Sequence, residues 1–353
     1  MKSKLIKVHP DDNVAVALVD LFAGDVVEFE GQSLKILTDS KAKHKIALVN
    51  LKADDPIFMY GVLVGKALSA IDVGGLLTTE NVKHEANSVS QKTETTSWTA
   101  PDISKWKDRT FMGYHREDGQ VGTQNVWLFF PLVFCENRNI ELLKDVFEKE
   151  LSFHKASKQR QLLRNLINGA PEDTAVAEIE EEQAIFDNIE VKFITHQGGC
   201  GGIRQDSVSL SKLLAGYVNN PNVAGATVLS LGCQNLQIDI FKNALAEKSA
   251  AIKKPVLIYE QQQEGTVDEM LAKIIKDSFE GIKKANQIKR QPAPISKLKM
   301  GLECGGSDGF SGISANPALG YASDILAAVG GSPILSEFPE LCGVEQELVN
   351  RCV

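Results

Sequence analysis

The chain has 353 residues, with 38 Lys+Arg against 46 Asp+Glu, a net charge of −8, and 43% hydrophobic and 24% charged residues. This balance suits a globular protein and excludes a disordered chain, a collagen and a small disulfide-stapled scaffold. The acidic surplus argues against a nucleic-acid groove, which needs a basic face, and the length predicts two or three domains.

Lys2, Lys4 and Lys7 sit in residues 1–10 without an apolar run, so no secretory signal is read there. Short apolar or alternating runs at 15–21, 25–29, 34–37, 45–51, 56–60 and 63–71 are punctuated by turn residues such as Gly24, Gly31, Gly61 and Gly74. They predict a β-rich first domain over residues 1–90. A helical period is also readable at 13–21, with residues 9–13 (HPDDN) as its cap. Residues 88–107 are rich in Ser, Thr, Lys and Glu and contain Pro101; a linker, extended and mobile, is assigned to 91–107.

Beyond Arg109 the pattern changes. Strand-like runs at 126–134, 191–195, 227–231, 255–259, 299–302 and 333–335 alternate with helical stretches at 140–151, 207–218, 238–246, 267–285 and 322–329. This alternation predicts a mostly parallel α/β sheet covered on both faces. A charged segment at 155–182, with an acidic run at 178–182, reads as a solvated insertion. A Pro-containing basic junction at 287–297 separates an α/β domain over 108–290 from a short last part over 295–353. The most apolar stretch, 126–135, is too short to span a bilayer. The cysteines at 135, 200, 233, 304, 342 and 352 form no CxxC pair and are expected to be reduced thiols of a cytoplasmic protein.

Polar and glycine clusters fall where the predicted strands end, which is where open α/β sheets bind ligands. His196 and Cys200 lie in HQGGCGG at 196–202, ahead of a helix start; they are a candidate base and metal ligand, against the plainer reading of a Gly-rich turn with a buried thiol. Cys233, Gln234 and Asn235 follow the next strand, and their amides suit substrate hydroxyls. Cys304, Ser307 and Asp308 lie in ECGGSDGFSG at 303–312, with Asn316 close behind, more polar groups than a turn requires. Glu337 and Glu340 follow the last strand and could hold a cation or act as a base. The glycine spacing matches neither a P-loop nor a dinucleotide fingerprint, and no G-x-S-x-G elbow is present.

With these stretches read together, the chain resembles the altronate dehydratase / galactarate dehydratase family of sugar-acid dehydratases. The matching blocks are HPDDNVAVAL at 9–18, GYHREDGQVGTQN at 113–125, HQGGCG at 196–201, LGCQNLQ at 231–237, GLECGGSDGFSGISANPALGY at 301–321 and SEFPELCGVE at 336–345. The last two look more like the altronate branch. The resemblance implies an N-terminal β-clip domain of the SAF type, then a mostly parallel α/β domain and the start of a further α/β domain in a C-terminally incomplete chain. It implies dehydration of D-altronate to 2-dehydro-3-deoxy-D-gluconate in hexuronate catabolism. Galactarate dehydratase and sulfolactate sulfo-lyase relatives, a non-catalytic sugar-acid-binding fragment and a β-clip assembly module are the alternatives. Fe²⁺ is the implied cofactor, with Mn²⁺ or Mg²⁺ as substitutes, and the partner is a small-molecule sugar acid, with neither nucleic acid nor membrane; a homo-oligomer is admitted.

Removal of the C2 proton beside a carboxylate creates a charge-rich intermediate that a divalent cation would stabilise. His196, with Glu337 or Glu340 second, is the expected acid or base. Gln234, Asn235, Ser307, Asp308 and Asn316 are the expected substrate contacts, and Cys200, Cys233, Cys304 and His84 the expected metal ligands. His84 stands in VKHEAN at 82–87, where the family's usual second His is missing and Glu85 is the substitute considered. Cys200, Cys233 and Cys304 resemble an iron–sulfur ligand set in residue type, but a mononuclear ion is preferred at this stage.

Overall fold

A computed structural model describes residues 3–94, 97–151, 158–168, 185–248, 253–303, 305–306, 308–337 and 341–352. Cys304, Ser307, Glu340 and the acidic run at 178–182 lie outside the described residues. The chain divides into two units, one formed by Met1–Asp108 with Leu298–Val353 and the other by Arg109–Lys297.

The N-terminal part of the first unit is made of short strands: β1 (Leu5–Ile6), β2 (Val14–Ala17), β3 (Val26–Phe29), β4 (Gln32–Lys35), β5 (Lys45–Ala47), β6 (Pro56–Met59), β7 (Val62–Ala67), β8 (Leu76–Leu77) and β9 (Val82–His84). An antiparallel sheet in the order β1-β2-β5-β8 is flanked by the hairpin β3–β4 and by the sheet β6-β7-β9. The two hairpins are copies of one device thirty positions apart. Phe29–Gln32 and Met59–Val62 each enclose a two-residue turn whose central residues, Glu30 and Gly31 or Tyr60 and Gly61, have positive φ, the turn type that matches strand twist. Asp25 and Asp55 cap the preceding loops by accepting from the amides of Phe22 and Lys52.

The helix readable at 13–21 is not formed. Val14–Ala17 are all buried in the central strand β2, where the β-branched residues suit a sheet packed on both faces. Asp12 is not a helix cap; it accepts from the amides of His9 at 2.9 Å and Gly61 at 2.8 Å. The described residues of 88–107 carry no helix or strand.

The second unit opens with β10 (Thr110–His115) and β11 (Val121–Gly122). It continues with β12 (Val126–Pro131), α1 (Asn137–Glu150), α2 (Lys158–Ile167), β13 (Glu190–Phe193), α3 (Arg204–Asn219), β14 (Val223–Ser230), α4 (Ile238–Lys248), β15 (Val256–Glu260) and α5 (Val267–Asn286), and closes with β16 (Gln291–Pro294). β12, β13, β14 and β15 form a parallel sheet in the order β13-β12-β14-β15. Trp127 and Phe129 of β12 pack toward α1 and α5, while Leu128 and Phe130 pack toward α3 and α4, so both faces are covered. The expected junction at 287–297 is instead partly strand. β16 pairs antiparallel with β10, and Pro292 and Pro294 are tolerated because β16 is an edge strand.

The first unit resumes with β17 (Lys299–Leu302), α6 (Ala315–Ala328), β18 (Ser332–Leu335) and α7 (Glu345–Arg351). β17 and β18 are parallel neighbours, with α6 between them in the chain. The amides of Ser90 and Thr93, in the linker tract, donate to Gln346 and Asn350 of α7 at 2.7 and 3.1 Å. Among the described residues no helix is long and apolar enough to cross a membrane.

Candidate active site

In the second unit the chain leaves β12 toward α1 on one face of the sheet and β14 toward α4 on the other. The crevice between diverging connections, at the carboxyl ends of the strands, is the favoured ligand position in such sheets. Three loops meet at this edge, following β12, β13 and β14. They are joined by backbone bonds: the Phe134 amide donates to Gly198 O and the Leu236 amide to Gly199 O, both at 3.0 Å. Gly199 has φ +95°, and a Cβ there would overlap the Leu132 carbonyl, so only glycine permits this approach.

His196 is held at both ring nitrogens. Nε2–H donates to Pro131 O at 2.8 Å, and Nδ1 accepts from the Gly198 amide at 3.1 Å. In this arrangement the imidazole ties its loop to the end of β12. Gln234, only 3% exposed, is likewise committed: Oε1 accepts from the Gly232 amide at 2.7 Å and Nε2 donates to Ser230 Oγ at 2.5 Å. Asn235 Nδ2 donates to Cys200 O at 2.7 Å. Three of the expected functional residues therefore build the loops.

The thiols are what this edge leaves available. Cys200 is half-buried and Cys233 exposed. Cys135, at the end of the β12 loop, is an exposed residue for which sequence reasoning found no role. Desolvation, then the charge of Cys200 and a hydrogen bond with it, and to a lesser degree Cys233, hold the Cys135 thiol above its ordinary range. The next residue, Glu136, is fully buried; Oε2 accepts from Asn139 Nδ2 at 2.7 Å, while Oε1 takes no hydrogen bond among the described residues. Burial pushes its carboxyl above the glutamate range against the Asn139 bond, which favours the charged form. Cys135 and Glu136 escaped notice because the apolar run at 126–134 extends to their doorstep and they read as its end. The signal that finds them is their place beyond a fully buried strand.

In the first unit, Asp308 Oδ2 pairs with Lys43 Nζ at 2.5 Å and its Oδ1 accepts from the Phe310 amide at 2.7 Å. The Lys43 bond, then the Phe310 amide, keep its carboxyl below the usual aspartate range. A cavity of about 490 Å³ is lined by Glu303, Gly305, Gly306, Ser311, Asn316 and Glu337. Another, of about 810 Å³, is lined by Lys43, His44, Tyr60 and His84 among others. Glu85, the considered partner of His84, is instead paired with Lys66 at 3.0 Å. Thus the structure brings Asn316 and Glu337 to one cavity and His84 to another, while Cys200, Cys233 and His196 share the edge of the parallel sheet in the second unit. Among the described residues no three His, Cys, Asp or Glu side chains form a group suited to holding a metal ion.

These features define a β-domain followed by α/β segments whose glycine-rich loops stand at strand ends. Three family models match in chain order: the altronate/galactarate dehydratase SAF domain at residues 3–85, the D-galactarate dehydratase/altronate hydrolase second domain at 113–286, and the D-galactarate/altronate dehydratase C-terminal domain at 295–353. The chain belongs to the altronate/galactarate dehydratase family. It is 35% identical to altronate dehydratase of Bacillus subtilis (strain 168) over 99% of this chain and 63% of that protein. It is 31% identical to altronate dehydratase of Escherichia coli (strain K12), over 98% of this chain and 62% of that protein. It is 28% identical to the galactarate dehydratase (L-threo-forming) of the same strain, over 99% of this chain and 62% of that protein. The chain therefore spans less than two thirds of the length of these relatives.

Proposed function

We propose that the protein to which this chain belongs is a cytoplasmic hydro-lyase that removes water from a sugar acid, with D-altronate the substrate and 2-dehydro-3-deoxy-D-gluconate the product. The observation that carries this reading is the run of three family models along the chain, together with the higher identity to the two altronate dehydratases than to the galactarate enzyme.

The reaction needs a base for the C2 proton and an acid for the departing C3 hydroxyl. The 490 Å³ cavity of the first unit is of a size that holds a small ligand. Its Asn316 amide and Ser311 hydroxyl suit substrate hydroxyls, and Glu337 is the proposed base. Glu303 and Glu337, both lining this cavity, would repel the substrate carboxylate, which supports a divalent cation, Fe²⁺ first, as part of the working enzyme. The expected mononuclear ligand set is not assembled among the described residues, so no step is derived through that ion. His196 is assigned a positioning role, holding the 196–202 loop against β12.

The test is a panel of aldonates and aldarates assayed for 2-keto-3-deoxy acid with Fe²⁺, Mn²⁺ or Mg²⁺, on this chain and on a C-terminally extended form. Selective turnover of D-altronate by the extended form supports the reading. Preference for galactarate, or binding without turnover in the extended form, overturns it.

A further inference from the structure

The first unit carries chemistry that the proposed dehydration does not use. Its cavities differ in charge. One, of about 990 Å³, is lined by Lys7 and Lys35 but also by Asp11, Asp12, Glu30 and Asp72. The 490 Å³ cavity has Glu303 and Glu337 and no lysine or arginine. The 810 Å³ cavity is the reverse: Lys43 and Lys45 line it with the imidazoles of His44 and His84, and no carboxylate does among the described residues. Glu85, beside His84 in the chain, is paired with Lys66 at 3.0 Å. A cleft lined by one sign of charge concentrates the opposite ion, so of these three the 810 Å³ cavity is the one that favours an anion.

Lys45 stands on β5, between β2 and β8, and its ammonium has neither an ion pair nor a hydrogen bond among the described residues. Lys43 and Tyr60 are two of the four described non-glycine residues at positive φ, +79° and +61°. A side chain kept where glycine would be unstrained points to a use for it. The loop at 308–312 sits against both: a Cβ at Gly309 would overlap the Lys43 side chain, and one at Gly312 the Tyr60 hydroxyl. Partial burial, then the charge of Asp12, holds the Tyr60 phenol above its ordinary range, so it stays a hydrogen-bond donor. The lining also includes the buried Val14, Ile57 and Met59. A volume of this size with an apolar wall and a few polar groups suits an organic molecule rather than a bare inorganic ion. We propose that this cavity is a binding site for a hydroxylated organic acid, its carboxylate held by Lys43 and Lys45 and its hydroxyls by Tyr60 and Thr79. The site is separate from the cavity of Glu303 and Glu337. The ligand carboxylate takes the place on Lys43 that Asp308 now holds at 2.5 Å.

The experiment is calorimetric titration of the full chain with D-gluconate, with D-glucitol as the same skeleton lacking the carboxylate and inorganic phosphate as a bare anion. Saturable binding of D-gluconate is expected, with D-glucitol and phosphate each weaker by about tenfold or more. K43Q and K45Q should each weaken D-gluconate by about tenfold, as for one lost charge-assisted bond. D308N, which frees Lys43 from its competitor, should strengthen it. K35Q, in the 990 Å³ cavity, should leave it unchanged. Circular dichroism confirms that each variant is folded, and should K43Q fail to fold, K45Q carries the test. D-glucitol or phosphate bound as tightly as D-gluconate, undiminished binding in K45Q, or weaker binding in D308N each overturns the proposal. Absence of D-altronate turnover in the extended form overturns the dehydration reading and leaves this site standing, because the site is read by binding.

Discussion

The short-stranded β region at residues 3–85 and the parallel-sheet unit Arg109–Lys297 use polar side chains for different ends. In the first, Asp12, Asp25, Asp55, Asn50 and Asn81 each accept from main-chain amides at turns, so that strands of two to six residues can be closed into hairpins. In the second, the strands are buried on both faces and their amides pair along the sheet, so polar chemistry is displaced to the strand ends. Most of it there also serves the backbone, as His196 and Gln234 show. A polar residue at a strand end is thus only a candidate site residue; whether it touches a ligand depends on what the neighbouring loop has already claimed.

Substitutions can break this contrast, and the largest effects belong to the parallel sheet. Phe129→Ala empties a fully buried position stacked on Phe193 at 4.8 Å and touching Phe147; it should cost about 3–5 kcal/mol in denaturant unfolding. Gly199→Ala combines backbone strain with overlap against Leu132 O and should cost about 3 kcal/mol, whereas Gly24→Ala in the β region, with similar φ but open space, should cost about 1 kcal/mol. Equal losses at the two glycines would show that loop closure at the sheet edge is not the tighter constraint.

Two titrations sharpen the comparison within the sheet unit. Burial, then the Arg116 charge, lowers Lys254 to about 8 from 10.5, although it donates to Val218 O and Asn220 O. The unfolded chain therefore binds more protons between about pH 8 and 10.5, and stability should rise with pH across that window. Glu136 has the opposite sign: its folded carboxyl holds a proton that the unfolded one has lost, so stability should fall as pH rises from 4.5 through its raised value. Glu136→Gln should remove that fall, read as a flatter profile of unfolding midpoint against pH. Thr266→Ala removes the side-chain half of the capping box on α5, the hydroxyl that accepts from the Glu269 amide, and should cost about 1 kcal/mol. Asp308→Asn, in the solvent-screened pair with Lys43, should move the same measurement least of all.

Much of the architecture was legible in the residues. The strand at Lys299–Leu302 and the helix α5 follow the expected bounds closely, because a short strand-like run and amphipathic spacing are local patterns. Strand β16 was not legible, since Pro292 and Pro294 argue for a junction until an edge position is known. The paired hairpins around Gly31 and Gly61 were missed as a repeat because their turns share backbone signs more than residue types. The sequence by itself determined that glycine-rich, thiol-bearing loops follow buried strands, because strand and turn preferences act over a few neighbouring residues. Only the tertiary structure decided that His196, Gln234 and Asn235 spend their hydrogen bonds on other loops, because a side chain's partner is set by which distant strand ends the sheet order brings together.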